Sequence, residues 1–354
     1  MTADFHRHSV FLSIKDSICL FFDANLREHA ALAAGKVDMT TKHFLDLKDI
    51  DASDLRWIID KAVEFKGHFT RGDAALPSGP FLTGRYVSLV FEWPATRTRL
   101  HFETATRDLG GTAIPFYASN MPISRGETMG DTARVLSRHS DIIMLRTGDH
   151  RRLVEMAENS TSPVINGCTN YSHPFRILVE IMTYEENRGP IEGKTVVFLG
   201  DCRMNQSRSW IHGAAKLGAK LRMASPPEFA PEAEELEWAR AQGATVEVFD
   251  DAHAAVDGAD YVCTDIWMPF GSENREERLK LLGPFQVNAE LMKRAKPDAI
   301  FMHPLAASRG DEVTDEVIDG PQSVVWTGGI ENKRHLLKGL FLWQIGEEAA
   351  ARAR

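Results

Sequence analysis

Val87-Ser88-Leu89-Val90-Phe91-Glu92-Trp93-Pro94-Ala95-Thr96-Arg97-Thr98-Arg99 reads as a buried strand handing its chain to a helix. The apolar run ends at Phe91, Pro94 stops it, and Thr96 to Ala105 has the composition of a helix start. Such a start offers free backbone N–H groups and the positive end of the helix dipole, and Arg97 adds a charged fork for phosphate oxygens. The stretch therefore predicts an anion site at the C-terminal end of a strand. Taken alone, Arg97 and Arg99 also fit a solvated helix face.

Outward from this point, short apolar runs alternate with amphipathic segments, the pattern of parallel sheets with crossover helices. Strands are expected near 86–91, 112–117, 141–146 and 163–166, and a second series near 195–199, 220–223, 245–249, 261–264, 299–303 and 323–326. Between the series, Pro174 opens a helix with Phe175, Ile177, Leu178, Ile181 and Met182 on one face, and Gly189-Pro190 closes it. The expected fold class is α/β, two doubly wound parallel-sheet domains joined by interdomain helices. The chain divides into an extension (1–38), a first domain (39–186), a second domain (187–330) and a C-terminal helix (331–354) that packs back on the first.

At 354 residues the chain exceeds what one core usually serves, which agrees with two domains. A formal net charge of −9 argues against nucleic acid or an anionic membrane as a partner, because both require a basic footprint. The four cysteines, Cys19, Cys168, Cys202 and Cys263, lack the pairing of a zinc site or a disulfide scaffold and read as reduced cytosolic thiols. The run from Val10 to Phe22 is broken by Lys15 and Asp16 and lacks a small-residue cleavage site, so a signal peptide is not expected.

Further segments stand in a telling order: Arg125-Gly126-Glu127-Thr128 through Arg138, Ile143-Met144-Leu145-Arg146, His173-Pro174, Thr264-Asp265-Ile266-Trp267, His303-Pro304-Leu305 and Glu331-Asn332. With Ala95-Thr96-Arg97-Thr98-Arg99 they make the chain resemble the aspartate/ornithine carbamoyltransferases, ornithine branch, from about Lys42 to Gly346. The resemblance implies a carbamoyltransferase-like fold and transfer of a carbamoyl group from carbamoyl phosphate to an amine, most readily ornithine, as in arginine biosynthesis. It implies no metal and no cofactor, a homotrimer and a cytoplasmic location. By similarity Ala95, Thr96, Arg97 and Thr98 hold the phosphate. Arg146, His173 and the Thr98 hydroxyl face the carbonyl oxygen, whose growing negative charge they stabilise. Read alone, His173 fits a core or capping histidine and Arg146 a strand-end charge.

The chain departs from the family at telling places. Ala95 replaces a serine, and Arg176 replaces a glutamine whose amide oxygen accepts from the carbamoyl NH2; a guanidinium has no acceptor. Lys333 replaces an arginine and loses its bidentate fork, which makes Arg176 a candidate for the missing guanidinium. On the amine side, Asn205 and Asp265 persist as head-group ligand and anionic partner. Pro269, Phe270, Pro304 and Leu305 line a changed second-substrate site, and Ala306 stands where the family has proline. Trp267 and Phe270 read equally well as pocket wall or as core. In the loop from Asn120 to Glu127, Pro122 replaces the polar donor that family trimers lend to a neighbour, so either Ser124 or Arg125 takes that task or the contact is lost. These changes motivate a second expectation, a degenerate binding or regulatory protein. A dinucleotide oxidoreductase is discounted, because Gly200-Asp201-Cys202-Arg203-Met204-Asn205 lacks the glycine spacing that admits a pyrophosphate.

Overall fold

A computed structural model describes residues 41–70, 81–268 and 274–346. The N-terminal extension and two expected site residues, Pro269 and Phe270, lie outside the described residues.

The first half runs α1 (Ala52–Thr70), β1 (Tyr86–Phe91), α2 (Thr96–Asp108), β2 (Thr112–Tyr117), α3 (Met129–Leu136), β3 (Ile142–Arg146), α4 (His150–Glu158) and β4 (Val164–Cys168). Its four strands are all parallel, in the order β2-β1-β3-β4. Val87, Leu89, Val90 and Phe91 of β1 are buried on both faces of the sheet, so their near-continuous apolar run is what a parallel strand covered by helices requires. The second half runs β5 (Thr195–Leu199), α6 (Asn205–Leu217), β6 (Lys220–Ala224), α7 (Ala233–Ala241), β7 (Val246–Phe249), β8 (Tyr261–Thr264), α8 (Arg275–Leu282) and β9 (Ile300–Met302), with short helical turns between. These strands are again all parallel, in the order β7-β6-β5-β8-β9.

Two helices tie the halves together. α5 (Pro174–Arg188) leaves the first sheet with Pro174 at its start and is buried from Pro174 to Tyr184. α9 (Gly328–Ile345) packs against α1, α2 and α5. It begins five residues before Lys333, because Gly328 and Gly329 serve close packing and not a turn. A Cβ on Gly328 would meet Thr183 at 2.7 Å, and one on Gly329 would meet Met302 at 2.8 Å.

The tenth expected strand is absent. Around 323–326 there is one bridge, Phe301 to Ser323, before the chain turns into α9. Beta-branched residues there supply apolar contacts to the core and not a ladder. No helix among the described residues is long and apolar enough to cross a membrane.

Each sheet reverses its strand order once, between β1 and β3 and between β5 and β8. Open α/β sheets bind ligands at the carboxyl ends of the strands beside such a reversal. Phe91 pairs with Arg146 at the first reversal, and Leu199 pairs with Thr264 at the second. Ala95 to Thr98 and Arg146 therefore stand at the first switch point, and Asn205 and Asp265 follow the strands of the second.

Candidate active site

The chain leaves β1 and enters α2 at Ala95, whose side chain makes no capping bond. The N–H groups of the first turn are thus left without a side-chain acceptor, the condition under which a helix start takes an anion. Arg97 is exposed on this turn. Thr98 Oγ1 lies 3.5 Å from Arg146 Nη1, which also donates to the Gly167 carbonyl at 3.4 Å. Arg146 stands at the end of β3 because its backbone completes the sheet, accepting from Glu92 N–H at 3.0 Å. Its Nε has no hydrogen-bond partner.

His173 immediately precedes α5. Its backbone N–H donates to Ser209 Oγ at 2.8 Å, and its ring Nδ1 has no partner. Burial, followed by the charges of Arg146, Arg176 and Lys333, drives its pKa well below the usual imidazole value. His173 is therefore a neutral ring at neutral pH, with one N–H to offer an oxygen that gains charge.

Arg176 is one turn into α5 and 2 % exposed. Its Nε donates to Glu180 Oε1 at 2.7 Å and its Nη2 to the His303 carbonyl at 2.9 Å, which leaves Nη1 buried without a partner. Glu180 is saturated: besides Arg176 it accepts from Gln206 at 2.7 Å and from Trp210 and Tyr261 at 3.0 Å each. A charge this deep is tolerated because every lone-pair direction is used.

Lys333, on α9, completes the cationic group. Its burial, then the neighbouring Arg176 and Arg97, pull its pKa down to about 6. His101, one turn beyond Arg97 on α2, faces the same cluster; burial and the charges of Lys333, Arg176 and Arg97 lower its pKa to about 3. Arg334, the next basic residue after Lys333, is committed elsewhere, to Asp108.

On the amine side, Asp265 follows β8. Its Oδ1 accepts from Ile266 N–H at 2.7 Å, and desolvation lifts its pKa to about 6. Asn205 opens α6, where its Nδ2 donates to the Thr169 carbonyl at 2.5 Å and meets Cys168 Sγ at 3.4 Å. Cys168 is electrostatically coupled to both Arg146 and Asp265, which places it between the two halves of the site. Its φ of 134° is one that side-chain-bearing residues rarely adopt.

Pro304 and Leu305 belong to a loop fixed by His303. That ring accepts the Leu305 N–H at Nδ1, 3.0 Å, and places Nε2 3.2 Å from Glu312. The Leu305–Ala306 bond is cis, and Leu305 has a φ of 57°. Trp267 is buried at 2 % exposure and lies against Gly200, where an added Cβ would meet its ring nitrogen at 2.9 Å. In the 120–127 loop the Ser124 hydroxyl turns back to the Met121 carbonyl at 2.8 Å, whereas Arg125 is exposed.

The structure thus gathers Thr98, Arg97, Arg146, His173, Arg176 and Lys333 into one cluster whose positive charge rests on the arginines, and Cys168, beside Asn205, links it to Asp265. Sequence reading missed His101, Glu180, Ser209 and Cys168. Three of them carried a signal: His101, Glu180 and Ser209 each stand four residues after a recognised site residue, on the same helical face.

Residues 42–186 match the family model described as the carbamoyl-P binding domain of aspartate/ornithine carbamoyltransferase, and residues 192–344 match its Asp/Orn binding domain. The chain is 47% identical over 305 residues to an ornithine carbamoyltransferase of Nitrobacter winogradskyi, covering 86% of this chain and 97% of that one. It is 48% identical over 306 residues to one of Rhizobium meliloti, covering 86% and 99%. Among solved structures, the ornithine carbamoyltransferase of Pyrococcus furiosus superposes with a TM-score of 0.82 at 40% identity, covering 87% of this chain and 98% of that one.

Proposed function

The chain belongs to the aspartate/ornithine carbamoyltransferase family, and from that premise we propose that it transfers the carbamoyl group of carbamoyl phosphate to the δ-amino group of ornithine, releasing phosphate. The observation that carries this reading is the convergence of Thr98, Arg146 and His173. They come from three separate segments at the switch point of the first sheet, and Arg146 and His173 keep donors without partners.

In this reading the first-turn N–H groups of α2, with Thr96 and Arg97, hold the phosphate, and Arg176 Nη1 and Lys333 meet it from the helices opposite. Arg146, the neutral His173 ring and the Thr98 hydroxyl face the carbonyl oxygen. The uncharged amine attacks the carbonyl carbon, the oxygen gains negative charge, and these donors stabilise it where it forms. The carbon–oxygen bond to phosphate then breaks with its electron pair on the phosphate, and the proton lost by the amine is available to the departing anion. Asp265 attracts the amine, and Asn205 exchanges its bond to Thr169 for the amino-acid head group. The two domains divide this work at residues 39–186 and 187–330, and 331–354 returns Lys333 to the first. We further propose a cytoplasmic homotrimer in which Arg125 reaches a neighbouring site.

Phosphate release measured across ornithine, acetylated ornithine, putrescine, lysine and aspartate tests the reading. Ornithine is expected to give the highest kcat/KM. Carbamoyl phosphate binding with no turnover on any amine would contradict it.

A further inference from the structure

His212 lies on α6, two turns after Asn205, and is fully buried. Its Nδ1 is 2.7 Å from Asp46 Oδ1 and its Nε2 is 2.7 Å from Glu235 Oε2. Ionised carboxylates only accept, so both ring nitrogens must carry a proton, and the ring is an imidazolium. Asp46 belongs to the segment that docks on β4 through Phe44, and Glu235 to α7 of the second half. The ring therefore bridges the two halves of the molecule.

The same face of α6 grips the loop that carries His173. Asn205 donates to the Thr169 carbonyl, Arg208 Nη1 to the Tyr171 carbonyl at 2.9 Å, and Ser209 Oγ takes the His173 N–H. The residues stand at spacings of three and four, so one helical face makes every contact. We infer that His212, as a doubly donating imidazolium, is the positioning residue that holds this face of α6, and through it Asn205 and His173, in place for the amine. The inference rests on the reading of the site proposed above.

The charges around the ring agree with it. Burial works against the cation, but the bonds from Asp46 and Glu235 outweigh it and raise the His212 pKa. Both carboxyls are held below their usual range by His212 against the opposing effect of burial, so the shared proton resides on the ring. Lys48 and Asp49 flank Asp46. Tyr171 joins Lys48 at 2.7 Å to Glu235 at 2.9 Å, and Arg208 meets Glu235 at 2.9 Å. His150 packs at a tilt against Tyr171 at 4.9 Å, and Trp238 packs edge-on against His212 at 4.8 Å. Once the pH passes the raised value the ring loses a proton, one carboxylate faces a lone pair, and the clasp opens.

Glu235→Gln separates positioning from mere structure. The Gln oxygen can still accept from Tyr171 and Arg208, while its NH2 donates to Nε2 of a neutral ring. The wild type is expected to lose kcat/KM for ornithine on the alkaline side by about tenfold relative to Glu235→Gln, after normalisation to each maximum, as a charge-assisted bond is lost. His212→Gln is expected to be low throughout and to lack this limb. Coincident alkaline profiles for wild type and Glu235→Gln would overturn the inference. A wild type silent on ornithine would instead overturn the functional reading. In that event side-chain nitrogen NMR of His212 still decides: two protonated nitrogens at neutral pH support the clasp, and a neutral ring refutes it.

Discussion

Arg176 stands where resemblance leads one to expect a glutamine. A guanidinium cannot accept the carbamoyl NH2, and here it is clamped by Glu180 and the His303 carbonyl with one buried nitrogen left over. That leftover donor suits a phosphate oxygen, the task proposed for Lys333, which lacks a fork. The double mutant Arg176→Gln, Lys333→Arg is therefore expected to bind carbamoyl phosphate more tightly than the sum of the single changes predicts. A coupling of about 1 kcal/mol or more in a double-mutant cycle is the expected size; strict additivity would dismiss the compensation. Lys333 also sets a pH dependence. Its pKa in the free protein is about 6, so it is largely uncharged above that value and gains a proton as the pH falls through it. Sulfate, a dianion that does not titrate in this range, is expected to bind more tightly as the pH is lowered from 8 to 6, and Lys333→Arg is expected to flatten the change, read by calorimetry. At this scale Thr96, Arg97, Thr98, Arg146 and His173 were legible in the sequence because each sits in a short motif with its own chemical reason. Cys168 was not, because its place in the site comes from neighbours distant in the chain.

Helix α5 links the chemistry to the architecture. His173 caps it, its first turn carries Arg176, and its second carries Glu180, which gathers Gln206, Trp210 and Tyr261 from the second half. Glu180→Gln would leave a buried guanidinium without its counter-charge. The expected loss is about 3–5 kcal/mol of stability in denaturant unfolding, with carbamoyl phosphate affinity falling in parallel; a change within experimental error would mean that Arg176 finds another partner. Apolar spacing and Pro174 made this helix readable, since both act within one turn. α9 begins at Gly328, ahead of the 331 expected from sequence, because the neighbours that forbid a Cβ at Gly328 and Gly329 lie far away in the chain. The missing strand near 323–326 has the same cause. Val324 and Val325 have the composition of a strand, but whether a buried apolar pair joins a ladder depends on the space left beside β9.

For the whole molecule, the alternation of strands and helices foretold two parallel sheets, and each sheet has candidate site residues beside its strand-order reversal. What local pattern could not supply is how the sheets face each other, since that is decided by α5, α9 and the His212 bridge through contacts between distant segments. The trimer belongs to this scale as well: sedimentation of the full chain is expected to give three copies, and a monomer at assay concentration would remove Arg125 from any neighbouring site. The central claim is carbamoyl transfer to ornithine at the site built on α2, β3 and α5. Its most direct test is citrulline formation from carbamoyl phosphate and ornithine by the wild type and by Arg97→Ala under identical conditions. Steady turnover by the wild type, lowered by about 10²–10³-fold or more in the variant, is the predicted result for loss of a charged group that stabilises the transition state. No citrulline from the wild type, or an Arg97→Ala enzyme that keeps its rate, would contradict it.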